Sequence, residues 1–340
     1  MPNWLLTPLV GAAGGWLASL VGWPLPWMVG SLLAVILLRC LAGLDLGEVP
    51  GARKAGQWLV GTGIGLHFSP AVLEQIASHG GLILAGALAT SLTCLIGIGL
   101  LRQGGADRAT AFFASMPGGA SEMVNLGQRN GALSSQVAAG QSLRLLLVVL
   151  SVPALFQWLV AGPLPVEHQG GALDWRWLAL LLVGGALFAL LWQRLRQPNP
   201  WLLGPILFSA VCCVLFDLDL SLPQGSSQIG QWLIGSALGC HFERSFLRHA
   251  PAFAARVLLA TSLGMLAAAL AAEALGWFSA LDHRSLMLGM MPGGIAELSL
   301  TAEALALSVP LVTALQVLRL LCVLFLAEPA FRWWLRRSSG

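Results

Sequence analysis

The sequence predicts an all-α polytopic membrane protein made of two inverted repeats, each of about five transmembrane helices plus one broken or re-entrant MPGG segment. Three observations carry that expectation. The 340 residues are 57% apolar and only 10% charged, with a mean hydropathy of +0.79, whereas soluble domains carry about 25% charged residues. Apolar runs of membrane-spanning character follow one another along the chain, and the second set repeats the first in order. The basic residues between the runs sort best to one side of a bilayer when the second set is upside down.

The first run is Leu5–Val21. No Lys or Arg precedes it and no small-residue cleavage site ends it, so it reads as a retained span rather than a signal peptide. Trp27–Leu41, the short glycine-rich Ala55–Phe68, Gly80–Leu101, Ala109–Gly127 and Leu133–Leu159 complete the first repeat, residues 1–165. The second repeat, residues 166–340, contains Trp177–Leu195, Trp201–Phe216, Ile229–Phe242, Ala252–Leu275, Leu286–Ala304 and Val309–Ala327.

Internal similarity supports the pairing residue by residue. PWMVG at Pro26–Gly30 returns as PWLLG at Pro200–Gly204, and GQWLVGTGIGLHF at Gly56–Phe68 returns as GQWLIGSALGCHF at Gly230–Phe242, both displaced by 174. MPGGASEM at Met116–Met123 returns as MPGGIAEL at Met291–Leu298, and QSLRL at Gln141–Leu145 as QVLRL at Gln316–Leu320, both displaced by 175. Orientation depends on whether the MPGG run crosses, since Pro and two Gly interrupt a helix there. If it enters and returns on one side, each repeat crosses five times. With the N-terminus inside, thirteen flanking basic residues then lie on the cytoplasmic side and only Arg176 and Arg284 outside. A full crossing gives ten inside and five outside, so the inverted arrangement is preferred. Both termini are then cytoplasmic.

Non-helical backbone at membrane depth leaves N–H and C=O groups that only protein or a wet cavity can satisfy. Pro117, Gly118 and Gly119, and Pro292, Gly293 and Gly294, are therefore expected beside a cavity. Glu122 and Glu297 follow each break, and Arg144 and Arg319 stand within the next apolar run. A charge near the bilayer centre costs at least about 2.5 to 3.5 kcal/mol on insertion scales, so each needs a partner. Glu122 is expected to approach Arg144 and Glu297 to approach Arg319. Two uses stay open: a structural ion pair, or an arginine that holds an anion while the carboxylate takes a proton or cation. Gln141, Gln316, Asn125, Ser121 and Ser299 are candidates to complete the polar site. Glu303 has no counterpart in the first repeat, and Gln57 and Gln231 read as helix contacts.

The six cysteines lie in apolar stretches without CxxC spacing, which indicates neither disulfides nor a metal site. The histidines show no H-x3-H spacing, so no cofactor or metal is expected, and His67 and His241 read as interfacial residues. A net charge of +3 is too small and scattered for nucleic acid. The partners expected are a small-molecule or ion substrate and the lipid bilayer, with a homodimer allowed.

MPGGASEM and MPGGIAEL, with QSLRL, QVLRL and the two GQWL blocks, resemble the AbrB family of bacterial membrane proteins over nearly the whole chain. Members carry labels as transporters, as ammonia monooxygenases or as regulators of gene expression. The layout is also similar to the wider superfamily of cation:proton antiporters and anion transporters, built from inverted five-span repeats. Duplication, inversion, interrupted segments and intramembrane charges together point to a secondary transporter of a small solute, an organic anion or ion, coupled to protons or sodium, with a membrane monooxygenase or a membrane regulator as the alternative; the resemblance implies a bacterial inner membrane. A monooxygenase would need clustered ligands, and a regulator an output domain, neither of which the sequence supplies, so no enzyme activity is expected.

Overall fold

The computed structural model describes residues 4–159, 171–242, 251–279 and 281–338, so the repeat boundary at 165/166 and His168, Arg244, Arg248 and His249 fall outside the described residues. Regular structure among the described residues is α-helical. The first half holds α1 (Leu6–Leu20), α2 (Pro26–Cys40), α3 (Ala52–Leu66), α4 (Pro70–Ser78), α5 (Gly80–Leu92), α6 (Cys94–Gln103), α7 (Arg108–Ser115), α8 (Ala120–Arg129) and α9 (Ser134–Leu159). The second holds α10 (Trp175–Arg194), α11 (Pro200–Phe216), α12 (Ser226–Gly239), α13 (Pro251–Gly276), α14 (His283–Met290), α15 (Ile295–Ala304) and α16 (Val309–Ser338).

Among the described residues five stretches are long and apolar enough to cross a membrane: Gly80–Gln103, Ser134–Leu159, Trp175–Arg194, Pro251–Gly276 and Val309–Arg337. α1, α2 and α11 are apolar but only 15 to 17 residues long. At 1.5 Å per residue they reach about 22 to 26 Å, less than a straight crossing of a ~30 Å hydrocarbon core. Leu9, Leu20, Val21, Leu187, Leu215 and Leu266 are each more than half exposed, as lipid-facing side chains are. The α4 helix was not expected. Its signal was present in Ser69-Pro70, where the serine hydroxyl accepts the Val72 N–H at 3.3 Å and Pro70 takes the first helical position.

Two compact units form, and each draws on both halves of the chain. The first comprises Met1–Ala77, Pro153–Arg244 and Ser299–Pro310. Within it α1, α2 and α3 pack among α10, α11 and α12. Proline opens both α2 and α11, and the residue ahead of each, Leu25 or Asn199, is left-handed at φ 51° or 44°. The GQWL helices α3 and α12 touch backbone to backbone, because a Cβ on Gly56 would meet the Gly230 carbonyl and one on Gly230 would meet Val60 and the Gly56 carbonyl. Small residues permit this approach between helices, where dispersion contacts rather than hydrophobic transfer hold them. The tryptophan two places on is used reciprocally. Trp58 Nε1 donates to the Leu182 carbonyl at 2.9 Å and Trp232 Nε1 to the Pro8 carbonyl at 3.0 Å, so donors and acceptors exchange under the 174-residue displacement of the repeat.

The second unit comprises Ser78–Val152, Ser245–Leu298 and Leu311–Gly340. α13 packs on α5, α6 and α14, and α6 packs on α7. Phe112, Phe113, Met123, Val137, Ala327 and Phe331 share one buried core that ties α7, α8, α9 and α16 together. Both interrupted segments start on an aspartate cap. Asp107 accepts the Thr110 N–H and Asp282 the Ser285 N–H, each at 2.8 Å, which satisfies donors that a helix start leaves open.

Candidate functional site

Each MPGG stretch is a helix break. α7 ends at Ser115 and α8 begins at Ala120; α14 ends at Met290 and α15 begins at Ile295. Proline removes an N–H from the ladder and clashes with the carbonyl a turn earlier, which stops the first half-helix. Met116 and Met291 are correspondingly extended, at ψ 128° and 143°. The last carbonyls of one half-helix and the first N–H groups of the next thus face each other with no intrahelical partners.

Side chains of the following long helix meet the carbonyls. Gln141 Nε2 donates to Phe113 and Met116 carbonyls at 2.9 and 3.0 Å, and Arg144 reaches Met116 at 2.8 Å and Gly118 at 3.3 Å. The second copy repeats the pattern, with the glutamine bond shifted by one residue at the end of the first half-helix. Gln316 Nε2 donates to Gly289 and Met291 at 2.7 and 3.0 Å, and Arg319 to Met291 and Gly293 at 2.8 and 2.6 Å. Gln and Arg lie three residues apart, which places both on one face of α9 or of α16. Hydrogen bonds from a charged donor contribute about 1.5 to 3 kcal/mol, so the Q-x-x-R spacing rebuilds what the break removes.

Glutamate serves the opposite end. Glu122 and Glu297 lie in the first turn of α8 and α15, and their Oε2 atoms fold back over Gly119 and Gly294, where any Cβ would collide with them. This is the capping-box position, three residues into the helix, with glycine as the cap residue. Negative charge there also complements the helix dipole. The Glu122–Arg144 ion pair expected from the sequence does not form: the guanidinium is taken by carbonyls of the break, while the carboxylate is drawn to the N–H end of the next half-helix. Arg319 is held by carbonyls in the same way.

The two arginines are the most deeply buried charges in the second unit, 9% and 4% exposed, and they feel each other electrostatically. Neither Nε finds a partner, nor do Gln141 Oε1, Gln316 Oε1 and Ser115 Oγ. Arg144, Ser115, Thr93, Thr261, Pro117 and Pro292 line a cavity of about 30 Å³, in which both breaks meet. That volume holds about two waters or a small ion. Among the remaining candidates, Ser121 and Asn125 are exposed on α8, Gly118 and Gly293 supply carbonyls to the arginines, and Ser299 is fully buried in the part of α15 that belongs to the first unit.

Sequence reasoning passed over the pair of caps Asp107 and Asp282, repeat-related and legible as D-x-x-[ST]. It singled out Glu303 but not its surroundings: Glu303 lines a cavity of about 710 Å³ in the first unit together with His67. No three His, Cys, Asp or Glu side chains converge among the described residues.

Comparison with known proteins adds one family and two relatives. The sequence model of a family described as "Transition state regulatory protein AbrB" matches residues 27–335. The uncharacterized protein YhjN of Bacillus subtilis (strain 168) is 28% identical over 95% of this chain and 91% of its own length. A protein of Escherichia coli (strain K12) whose name proposes a regulator, AbrB, is 27% identical over 90% of this chain and 89% of its own.

Proposed function

The chain belongs to the AbrB family, and on that premise we propose that it is a secondary membrane transporter of a small anion, working by alternating access around the two MPGG breaks. One observation carries this reading. Two guanidiniums more than nine-tenths buried each keep an unpartnered Nε–H, and Arg144 lines a cavity shared by both breaks. Burying a charge carries a desolvation penalty of several kcal/mol. Two that feel each other electrostatically and donate to main-chain carbonyls favour an anion between them. The N-termini of α8 and α15, which begin at the breaks, add positive ends of helix dipoles. At about 30 Å³ the cavity has room for only about two waters or a small ion, so a larger anion requires the surrounding helices to move.

Inverted repeats with re-entrant MPGG segments fit this function, because related halves supply inward- and outward-open arrangements around one site. The reciprocal Trp58 and Trp232 contacts support a two-fold relation between copies, and the distribution of basic residues supports its axis lying in the membrane plane. By the same rule both termini are cytoplasmic, and the bacterial relatives favour a bacterial inner membrane. It acts without enzyme chemistry, on a small-molecule or ion substrate, as a monomer or homodimer.

Uptake of a panel of small carboxylates and inorganic anions into proteoliposomes, with and without a proton gradient, tests the proposal. Gradient-driven uptake of an anion, reduced in folded Glu122→Gln and Glu297→Gln, is the expected result; wild-type uptake in both variants removes the carboxylates from the mechanism. The name of the E. coli relative favours a second reading, a membrane regulator of gene expression. Ligand binding without any flux would support it.

A further inference from the structure

His67 and His241 close the two GQWL helices, and each ring is pinned in one way. His67 Nδ1 lies 3.0 Å from the Gly63 carbonyl and His241 Nδ1 lies 3.0 Å from the Ala237 carbonyl. A carbonyl only accepts, so both protons sit on Nδ1 and both Nε2 atoms are left as bases. Each base has a carboxylate within electrostatic reach. His241 Nε2 is 3.9 Å from Glu48 Oε2 at an exposed position, and His67 interacts with Glu303. The histidines are repeat-related and the carboxylates are not, since neither Glu48 nor Glu303 has an acidic counterpart in the other copy.

The surroundings of the two pairs differ. Glu303 and His67 line the cavity of about 710 Å³ in the first unit, which is walled by the end of α3, residues 220–228, the last turn of α15 and the start of α16. Those elements bring Gln224, Gln228, Ser221 and Ser227 to the cavity, and among the described residues no other titratable or charged side chain faces it. Glu303 stands one residue from the C-terminus of α15, where the main chain turns through Ala306 at φ 52° and Leu307 N–H closes on the Ala302 carbonyl. Desolvation at this position favours the protonated form of Glu303, and the negative end of the helix dipole at the last turn works in the same direction. Protonated His67 works in the opposite direction and stabilises the carboxylate. Such opposed influences poise a carboxyl to gain and lose a proton as its neighbour changes charge.

We propose that Glu303 and His67 form a proton-binding pair in this cavity and, resting on the transport reading above, that the coupling proton enters there rather than at the arginine-lined breaks. Uptake converts the Glu303 carboxylate to the acid; release returns the proton to the cavity water or to His67 Nε2. Glu303 shares the ten-residue α15 with Glu297, and that helix begins directly after the Gly294 break, so the Glu303 charge acts on the helix that shapes one of the two MPGG turns.

Infrared difference spectroscopy on the full-length protein in lipid bilayers, titrated over pH, reads this proton directly. A carboxyl band present in the wild type and absent from Glu303→Gln is expected. In His67→Gln the band should titrate at a higher pH, because the stabilising cation is gone. His241→Gln should leave it in place. Glu303→Asp keeps a titratable group and serves if the glutamine variant fails to fold. The proposal is overturned if Glu303→Gln removes no titrating band, or if the band is indifferent to His67→Gln. Anion uptake that keeps its full pH dependence in Glu303→Gln would overturn the coupling role. A protein that shows the titration but moves no solute would keep the proton site and remove the transport reading instead.

Discussion

Gly119 and Gly294 show how one missing carbon sets the chemistry of a site. A Cβ at either position would occupy the space of the glutamate Oε2 that folds back from three residues later. Gly119→Ala is therefore expected to displace Glu122 from the helix start and lower stability by about 0.5 to 2 kcal/mol, the range for a lost cap. In a Glu122→Ala background most of that loss should vanish, and a double-mutant cycle read by thermal unfolding in detergent checks it. Gln141→Leu addresses the other end of the break. It strips the Phe113 and Met116 carbonyls of one donor, with an expected loss of about 1 to 3 kcal/mol. Arg144→Lys should retain fold but weaken anion binding, since a point charge cannot span both the Met116 and Gly118 carbonyls and still present an N–H to the cavity.

At the scale of the element, the pattern M-P-G-G-x-x-E followed by Q-x-x-R specifies a helix break together with both of its caps. The sequence made the break legible through Pro and Gly, and it made the four charges conspicuous because they stand in apolar runs. It did not make the partners legible. Counting charges pairs Glu with Arg, whereas the broken backbone offers each a nearer dipole of the right sign, and only the turn geometry at Met116–Gly119 reveals that. Periodicity also missed α4, which has no buried face to generate a pattern. Glu303 and His67 were seen one by one, but 236 residues separate them in the chain, and no local spacing rule joins such positions. The glycine contact between α3 and α12 gives a further test. Gly56→Leu drives a side chain into the Gly230 carbonyl and Leu233, and an overpacking loss of about 1 to 3 kcal/mol is expected, measured as a fall in unfolding temperature with Gly99→Leu, which meets open space, as the control.

The whole molecule repeats one plan in two compact units that use the duplication differently. In the first unit, copy-related groups cross over, so that each tryptophan donates to the other copy's opening helix. In the second, each copy caps its own break, and the two breaks share a cavity. Duplication thus explains why deeply buried cations come as two and why each keeps an unpartnered Nε, the feature on which the proposed anion site rests. The most direct measurement of that claim is anion-driven current from proteoliposomes on a solid-supported membrane, comparing wild type with Arg144→Gln and Arg319→Gln at matched amounts of folded protein. The account predicts an anion-dependent current in the wild type that both substitutions abolish. Equal currents in all three proteins, or a wild type that conducts a neutral solute and no anion, would contradict it.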